Sequence, residues 1–559
     1  MHLPSTIRAT VSPTILTKVG RLFNGTVDDV LAELLQNARR AGASQVEVAT
    51  LDLAGQSVLA IGDNGRGIDD PSALLRLGQS EWADAIAVSE DPAGMGFFSL
   101  AGQRVEVRSF SAASGAGWRI TIEPDAWQSG AAIAVEPFDI TAGTEILIDT
   151  PEAWDDRIAA AVAEAARFYP VAVGFNGQPQ AREDWLAKAV YVEEWNGSRI
   201  GVFRDSPRGR DSRSINFHGL TVACRLSEVS EVGRGGAWRA LVDIGDTPGL
   251  QLVLPARKEV VQTAGLEETR IACRRAIYRA IAREPRHRLA FAEWEQARGL
   301  GVELAAATPY LFGWQAPSND SSMAGLMGEA VSDVPMIVMP DLSPDIGQSA
   351  GRALRQGKPL GARLVFEESA FEGYGWYDAL PVIEDISFLV DVDGEHHRYS
   401  EAEQFTGPGR SGPVDAISCE VTVPKLSGSP LQFPADLLIT DPNGFSQLDE
   451  IAVLFTDPTS IAVDDLVDLL EAAVFSDSDD SDADSYQTQQ ADFRRDARDF
   501  ARRLLCGDDE ALLEKIREAV DRYAASSIPE GRRIVITLTA GSTEVMFDDP
   551  PASATSAAA

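Results

Sequence analysis

The chain has 559 residues with 85 acidic against 49 basic side chains, a formal charge of −36. That length exceeds a single hydrophobic core, so two to four domains are expected, and the charge opposes bulk attraction to nucleic acid or anionic membranes. The opening "MHLPSTIRATVS" lacks an apolar leader segment and no run of about 18 apolar residues occurs, so a soluble, cytoplasmic protein is expected.

The first predicted element is a helix. Val27, Val30, Leu31, Leu34, Leu35 and Ala38 recur at helical spacing, Thr26 and Asp29 form a capping pair, and the helix ends near Gly42. Glu33 and Asn37 lie four residues apart on the flank of its apolar stripe. "SQVEVATLDL" alternates like a strand, "AGQ" is a turn, and "SVLAIGD" is a largely buried strand leading into the loop "DNGRGIDDP". A polar stretch follows, and "AGMGFFSLAGQ" then reads as a glycine turn opening a short helix. "RVEVRSF", "WRITI" and "TEILID" read as strands, "PEAWDDRIAAAVAEAARFYP" as one helix and "VAVGFNG" as a strand. The expected fold class is α+β: an α/β sandwich whose mixed or antiparallel sheet carries helices on one face, spanning 1–185.

A second α/β domain is expected over 186–295, with several strands and a closing helix from about Leu266. In 296–470, "VPMIVMPDL" reads as a buried strand, "SPDIGQSAGRALRQG" as a helix and "DISFLVDVDGEHHRYS" as strand, turn, strand. An acidic linker is expected over 471–490, centred on "SDSDDSDADS". A helical and strand element with a small-residue tail fills 491–559. The four cysteines are scattered without CxxC spacing, which speaks against a zinc site or disulfide framework.

Four pieces of the first domain carry chemistry only when taken together. A carboxylate such as Glu33 can act as general base toward water, and a carboxamide such as Asn37 can offer oxygen to Mg²⁺. Taken alone, such a pair is an ordinary solvated helix edge. Asp63, directly after a buried strand, can accept a hydrogen bond from an exocyclic amine. Gly65 and Gly67 let backbone approach a flat ligand, although a glycine turn after a strand is common in any fold. Gly94-Met95-Gly96-Phe97 precedes a helix and can aim amides at phosphate oxygens. Thr144 in "AGTEILI" can place a hydroxyl beneath the ligand.

In order these make E-x-x-x-N, D-x-G-x-G after a strand, G-x-G before a helix and G-T entering a strand. Over about residues 20–180 this pattern resembles the GHKL superfamily of ATPases, which includes gyrase B subunits, MutL mismatch-repair proteins, ninety-kilodalton heat-shock chaperones and histidine kinases. "ELLQNARRAGASQVEV" resembles the MutL branch, whereas "GMGFFSLAGQRVEVRS" and "GTEILIDTPE" look more like the chaperone branch. The resemblance implies a Bergerat-type fold with ATP and Mg²⁺ as cofactors. It makes Glu33 the base that polarises water and Asn37 the Mg²⁺ ligand, with Glu33 reaching the metal through water. Asp63 would read adenine, with Gly65, Gly67 and Ile68 against the base and Thr144 supporting the contact through water. Residues 69–93 would form a lid, and Gly94, Met95, Gly96 and Phe97 would wrap the phosphates. Relatives commonly carry an Asp where Arg40 stands, a change that puts turnover in doubt more than binding. In "LQLVLPARKEVVQ", Lys258 or Arg257 would reach the γ-phosphate from the second domain.

The retained Glu33 and the lack of a phospho-accepting histidine helix favour a hydrolase over a kinase; His396 and His397 read as an incidental surface pair. The resemblance implies an ATP-gated homodimeric clamp, with residues 1–25 as an exchanged strap. Without Toprim-like or endonuclease motifs, chaperone-like action on protein clients is expected, in stress response or phage defence. Two alternatives stay open: a MutL- or topoisomerase-like ATPase coupled to nucleic acid through a partner, and a nucleotide-gated scaffold with negligible turnover.

Overall fold

The computed structural model describes residues 26–53, 55–75, 96–129, 132–204, 213–233, 235–245, 249–252, 259–320, 328–356, 360–402, 407–441, 447–478, 480, 483–528, 530 and 532–548. The chain divides into two compact units, Met1–Thr308 and Pro309–Ala559.

Helix α1 (Val27–Arg40) opens the described part of the first unit. Thr26 Oγ1 accepts the Asp29 amide at 3.2 Å and donates to its carboxylate at 2.9 Å, a cap of about 1 kcal/mol. Acidic residues occupy the first turn and Arg39 and Arg40 the last, matching the helix dipole. β1 (Gln45–Leu53) and β2 (Gln56–Asp63) form a hairpin registered from Val46↔Asp63 to Leu53↔Gln56. They join β3 (Val105–Ser111), β4 (Ala116–Ile122), β5 (Glu136–Pro137), β6 (Thr144–Asp149), β7 (Ala172–Phe175) and β8 (Gln178–Pro179) in one sheet ordered β5-β4-β3-β6-β2-β1-β7-β8. Among the described residues, the β1–β7 contact is parallel and the other strand pairs of this sheet are antiparallel, so the sheet is mixed.

The long helix expected across 151–170 is broken in two. Pro151 caps a 3₁₀ turn, Glu152–Trp154, whose Trp154 is buried in the core. The polar Asp155-Asp156-Arg157 step then leads into α2 (Ile158–Arg167), which ends before Pro170 because the residue preceding a proline disfavours helix. Val30 and Leu34 of α1 and Ile158 and Val162 of α2 share a core with Val46, Leu59, Ile61, Val107, Ile120 and Ile148. The opposite sheet face carries the small cluster Val58, Ala60 and Leu147, with Ala49 packed against it. The fold class is thus α+β.

A second sheet follows in the same unit, from β9 (Tyr191–Trp195), β10 (Ser198–Arg204), β11 (Arg213–Phe217), β12 (Leu220–Ala223), β13 (Glu228–Ser230) and β14 (Ala237–Ile244). Its order is β12-β11-β14-β10-β9, with β13 also on β14. Helix α3 (Ala264–Ile281), capped by Thr263, buries Cys273, Ala276 and Ile277 against Ile200, Val202 and Val242; α4 (Phe291–Gly299) adds Ala297. The turn between β11 and β12 meets the first sheet's helices. Gln36 Nε2 donates to His218 O at 2.9 Å and Phe217 O at 3.3 Å, and Asn216 Nδ2 donates to Phe168 O at 3.3 Å.

In the second unit, α5 (Pro344–Gln356) packs Ile346, Ala350 and Ala353 under a four-stranded sheet through Phe388, Val390 and Cys419. A further core joins α6 (Val463–Val474) and α7 (Tyr486–Cys506) through Leu466, Leu470, Ala497 and Ala501. The linker expected over 471–490 therefore includes the end of α6 and the start of α7. Its acidic middle connects two helices of one core, because charged residues can bridge neighbours without being buried. Among the described residues, no helix is long and apolar enough to cross a membrane.

Candidate active site

Three neighbouring strands bring three polar side chains into one row. Asp63 at the end of β2 is paired with Thr144 at the start of β6, Thr144 with Ser109 on β3, and Ser109 with Trp118 on β4. Residues in register share a sheet face. Leu59 and Ile61, at alternate positions before Asp63, pack into the helix-covered core, so this row faces the helix layer. Ser109 is fully buried. Its Oγ lies 2.8 Å from Thr144 Oγ1 and 3.2 Å from Gly143 O, and it accepts the Ile68 amide at 2.9 Å. A serine has one proton to give. With that proton on Gly143 O, Thr144 donates to Ser109 and keeps its own oxygen as an acceptor.

The half-buried Asp63 accepts the Gly65 amide on Oδ1 at 2.7 Å. Among the described residues, no protein group is bonded to its Oδ2. Burial pushes the Asp63 carboxyl above its ordinary pKa, partly offset by the Gly65 hydrogen bond. The loop after it is fastened on both sides. The Arg66 amide donates to Ala41 O at the end of α1 at 2.9 Å, the Ile68 amide to Phe110 O at 3.1 Å, and Trp118 Nε1 to Ile68 O at 3.0 Å. Asn64 Oδ1 accepts the Ser44 and Gln45 amides at the head of β1. Gly67 has φ +76°, and a Cβ there would overlap Phe110 O; Gly143 has φ +73°, and a Cβ there would overlap Asp63 O. No other residue type fits either position without moving backbone.

Glu33, Asn37 and Arg40 follow at i, i+4 and i+7 on one side of α1. Glu33 and Asn37 are half-buried, and Arg40 is 8 % exposed. Arg40 is therefore not a surface substitution: its Nη1 donates to Asn37 Oδ1 at 3.3 Å. Mg²⁺ binds hard oxygens at about 2.0–2.1 Å, so an ion on Asn37 Oδ1 would share that oxygen with a guanidinium. Among the described residues, no group of three His, Cys, Asp or Glu side chains could hold an ion. Arg40 Nη1 thus approaches the same carboxamide oxygen that a divalent ion would use.

Phe97 lies in the 3₁₀ turn Gly96–Leu100. Its ring is buried with its centroid 5.7 Å from that of Trp127, so the side chain belongs to the core and only its backbone is left to meet a ligand. Of the segment expected to form a lid, Asp69 is held by the Ala113 amide at 2.9 Å and Ser111 Oγ at 3.1 Å. Those bonds, the amide first, hold its carboxyl below the usual range. Leu74 and Leu75 of the 3₁₀ turn Pro71–Leu75 pack on the core. Gly94, Met95, Arg257, Lys258, the strap 1–25 and residues 76–93 lie outside the described residues.

No family model matches the chain, and no curated protein matches it. Among solved structures, it is similar to the ATPase and transducer domains of DNA topoisomerase II from Balamuthia mandrillaris, with 16% identity and a TM-score of 0.29. That match covers 35% of this chain and 60% of the other. The chain thus spans less than two thirds of that structure's length, and a likeness at this score is too slight to carry an inference.

A cavity of about 710 Å³ lies between the two sheets of the first unit, with Arg39, Tyr169, Arg182, Arg199, His218 and Asp243 in its wall. Arg199 is paired with Asp184 and Asp243 there, and none of Glu33, Asn37, Asp63 or Thr144 lines it. The chemistry gathers instead at the strand ends. There a carboxylate oxygen, a buried hydroxyl pair and close-packed glycine backbone lie in and beside a loop bonded to Ala41 O at the end of α1. Ser109, Trp118 and Gly143 belong to this assembly without having been singled out from the sequence as site residues. The signal for Ser109 was its place in "VEVRSFS", in phase with the inward Val105 and Val107.

Proposed function

We propose that the first unit binds and hydrolyses ATP. The observation that carries this reading is the row Asp63–Thr144–Ser109, whose aspartate keeps one oxygen unbonded among the described residues beside a loop pinned by Gly67 and Gly143. Asp63 Oδ2 accepts the exocyclic amine of adenine, the backbone at Gly65, Gly67 and Ile68 lies against the base, and Thr144 supports the contact through water. The phosphates extend toward α1 and the backbone of Gly94, Met95, Gly96 and Phe97. Glu33 takes a proton from the attacking water as its oxygen bonds to the γ-phosphorus and ADP leaves. Such a base supplies roughly 10²–10⁴-fold. Lys258, or Arg257, neutralises the γ-phosphate.

In this reading, nucleotide closes the unit into a homodimeric clamp acting on protein clients in a chaperone-like way. The motif resemblance to the chaperone branch supports that role, and the net charge of −36 disfavours direct DNA binding. Capture of clients by the Glu33→Ala chain held in ATP tests it. Nucleotide-dependent dimers retaining a protein are expected, whereas a chain that stays monomeric with ATP would contradict the clamp.

A further inference from the structure

We propose that helix α8 (Asp508–Tyr523) joins two copies of this chain along an apolar seam, without nucleotide. The proposal goes beyond the nucleotide reading and does not depend on it. Leu513, Ile516, Val520 and Tyr523 recur at spacings of three, four and three, which sets them on one side of the helix. Leu513 is 55 % exposed, Tyr523 77 % and the adjoining Leu512 58 %. At 100° per residue, Ala511, Lys515 and Glu518 fall on roughly the opposite side. That side is fastened to α7: Lys515 Nζ donates to Asp499 Oδ2 at 2.5 Å, and Arg502 Nη2 to Glu518 Oε1 at 2.6 Å. The seam is therefore turned outward. A helix of this length is marginal in water unless an apolar face is covered, and a contiguous exposed apolar face marks a contact surface.

The seam fits a second copy because its spacing reads the same from either end. An antiparallel copy sets Leu513 against Tyr523 and Ile516 against Val520, twice over about one twofold axis. Charge selects that orientation. The first turn carries Asp508, Asp509 and Glu510, whereas Arg522 lies in the last turn and Arg517, which also meets Glu514, in the second half. A parallel pair would bring two acidic turns together. An antiparallel pair sets each acidic turn beside the basic half of the other copy and opposes the helix dipoles. One helix face is smaller than a standard interface of roughly 800 Å² per partner, so micromolar association is expected.

The test is sedimentation of the full-length chain without nucleotide, from about 1 to about 50 μM. Ile516→Asp with Val520→Asp, the milder Leu513→Ala with Ile516→Ala, and the control Leu426→Asp are run alongside, with a thermal melt for each. Leu426 is an exposed leucine of the same unit, far along the chain from α8. Wild type and Leu426→Asp should form dimers reversibly with concentration. The two aspartates should raise the dimer dissociation constant at least about tenfold, and the two alanines should raise it less. Wild type that stays monomeric at about 50 μM would overturn the proposal and leave the seam to the chain's own hairpin, 534–547, or to a different protein. Dimers unchanged in a folded double-aspartate chain would also overturn it, as would dimers that form with ATP alone. Adding ATP to the double-aspartate chain then reads the nucleotide-dependent clamp by itself, so the two proposals fail separately. Should the aspartates unfold the chain, the alanine pair decides.

Discussion

Thr144 stands directly opposite Asp63 on the neighbouring antiparallel strand, and its hydroxyl lies 2.8 Å from that of the buried Ser109 one strand further on. The register of β2, β6 and β3 thus builds a short polar row at the edge of a core that is otherwise apolar on this face. Removing one partner from such a row leaves buried groups unsatisfied. Ser109→Ala should cost about 1–3 kcal/mol of stability in urea denaturation and weaken ATP binding through the displaced Thr144 and Ile68. Unaltered stability and affinity would show that the row is incidental.

Gly67 fixes where the loop can run. Gly67→Ala meets both a positive φ and the Phe110 carbonyl, whereas Gly55→Ala meets only a positive φ, with open space around its Cβ. The Gly55 variant should cost about 1 kcal/mol. Gly67→Ala should cost clearly more and weaken ATP binding as well. Equal unfolding midpoints in the two variants would mean that the close approach at Gly67 is easily relieved.

Glu33→Ala separates binding from chemistry. Titration with ATP should give near wild-type affinity, and phosphate release should fall by roughly 10²–10⁴-fold. Comparable hydrolysis in the variant would remove Glu33 from the role of base.

The raised pKa of Asp63 gives ATP binding a pH dependence of definite sign. Burial is the main cause, and the ionised carboxylate leaves both oxygens as acceptors, Oδ1 for the Gly65 amide and Oδ2 for the amine. Bound ATP favours the ionised form, so affinity should fall as pH drops through a pKa above the ordinary 3.8. The empty protein has the opposite linkage at this residue. The folded state holds the proton more tightly than the unfolded one, so Asp63's contribution to stability is present below the unfolded pKa and lost as pH rises through the folded one. Titrations at descending pH, with thermal melts as controls, read the two trends separately.

Much of the first sheet was legible because its signals are local. The apolar stripe and Thr26–Asp29 pair mark α1, and alternation marks β1, β2 and β3. Asp63 and Thr144 could be named as separate motif residues, but their pairing depends on strand register between distant segments, which no single stretch encodes. Arg40 shows a different limit. A basic residue in a helix's last turn normally suits the dipole and stays in water, and only the packing of the 64–68 loop against Ala41 shows how closely this end of α1 is covered. The broken helix at 151–170 was hidden because Trp154 and Ile158 both fit one apolar stripe, although Asp155–Arg157 interrupts the helix.

Calorimetric titration of ATP into wild type and Asp63→Asn decides whether Asp63 reads the adenine of ATP. Wild type should bind measurably, and a variant whose thermal melt shows it to be folded should not bind. Unchanged affinity in folded Asp63→Asn would contradict it.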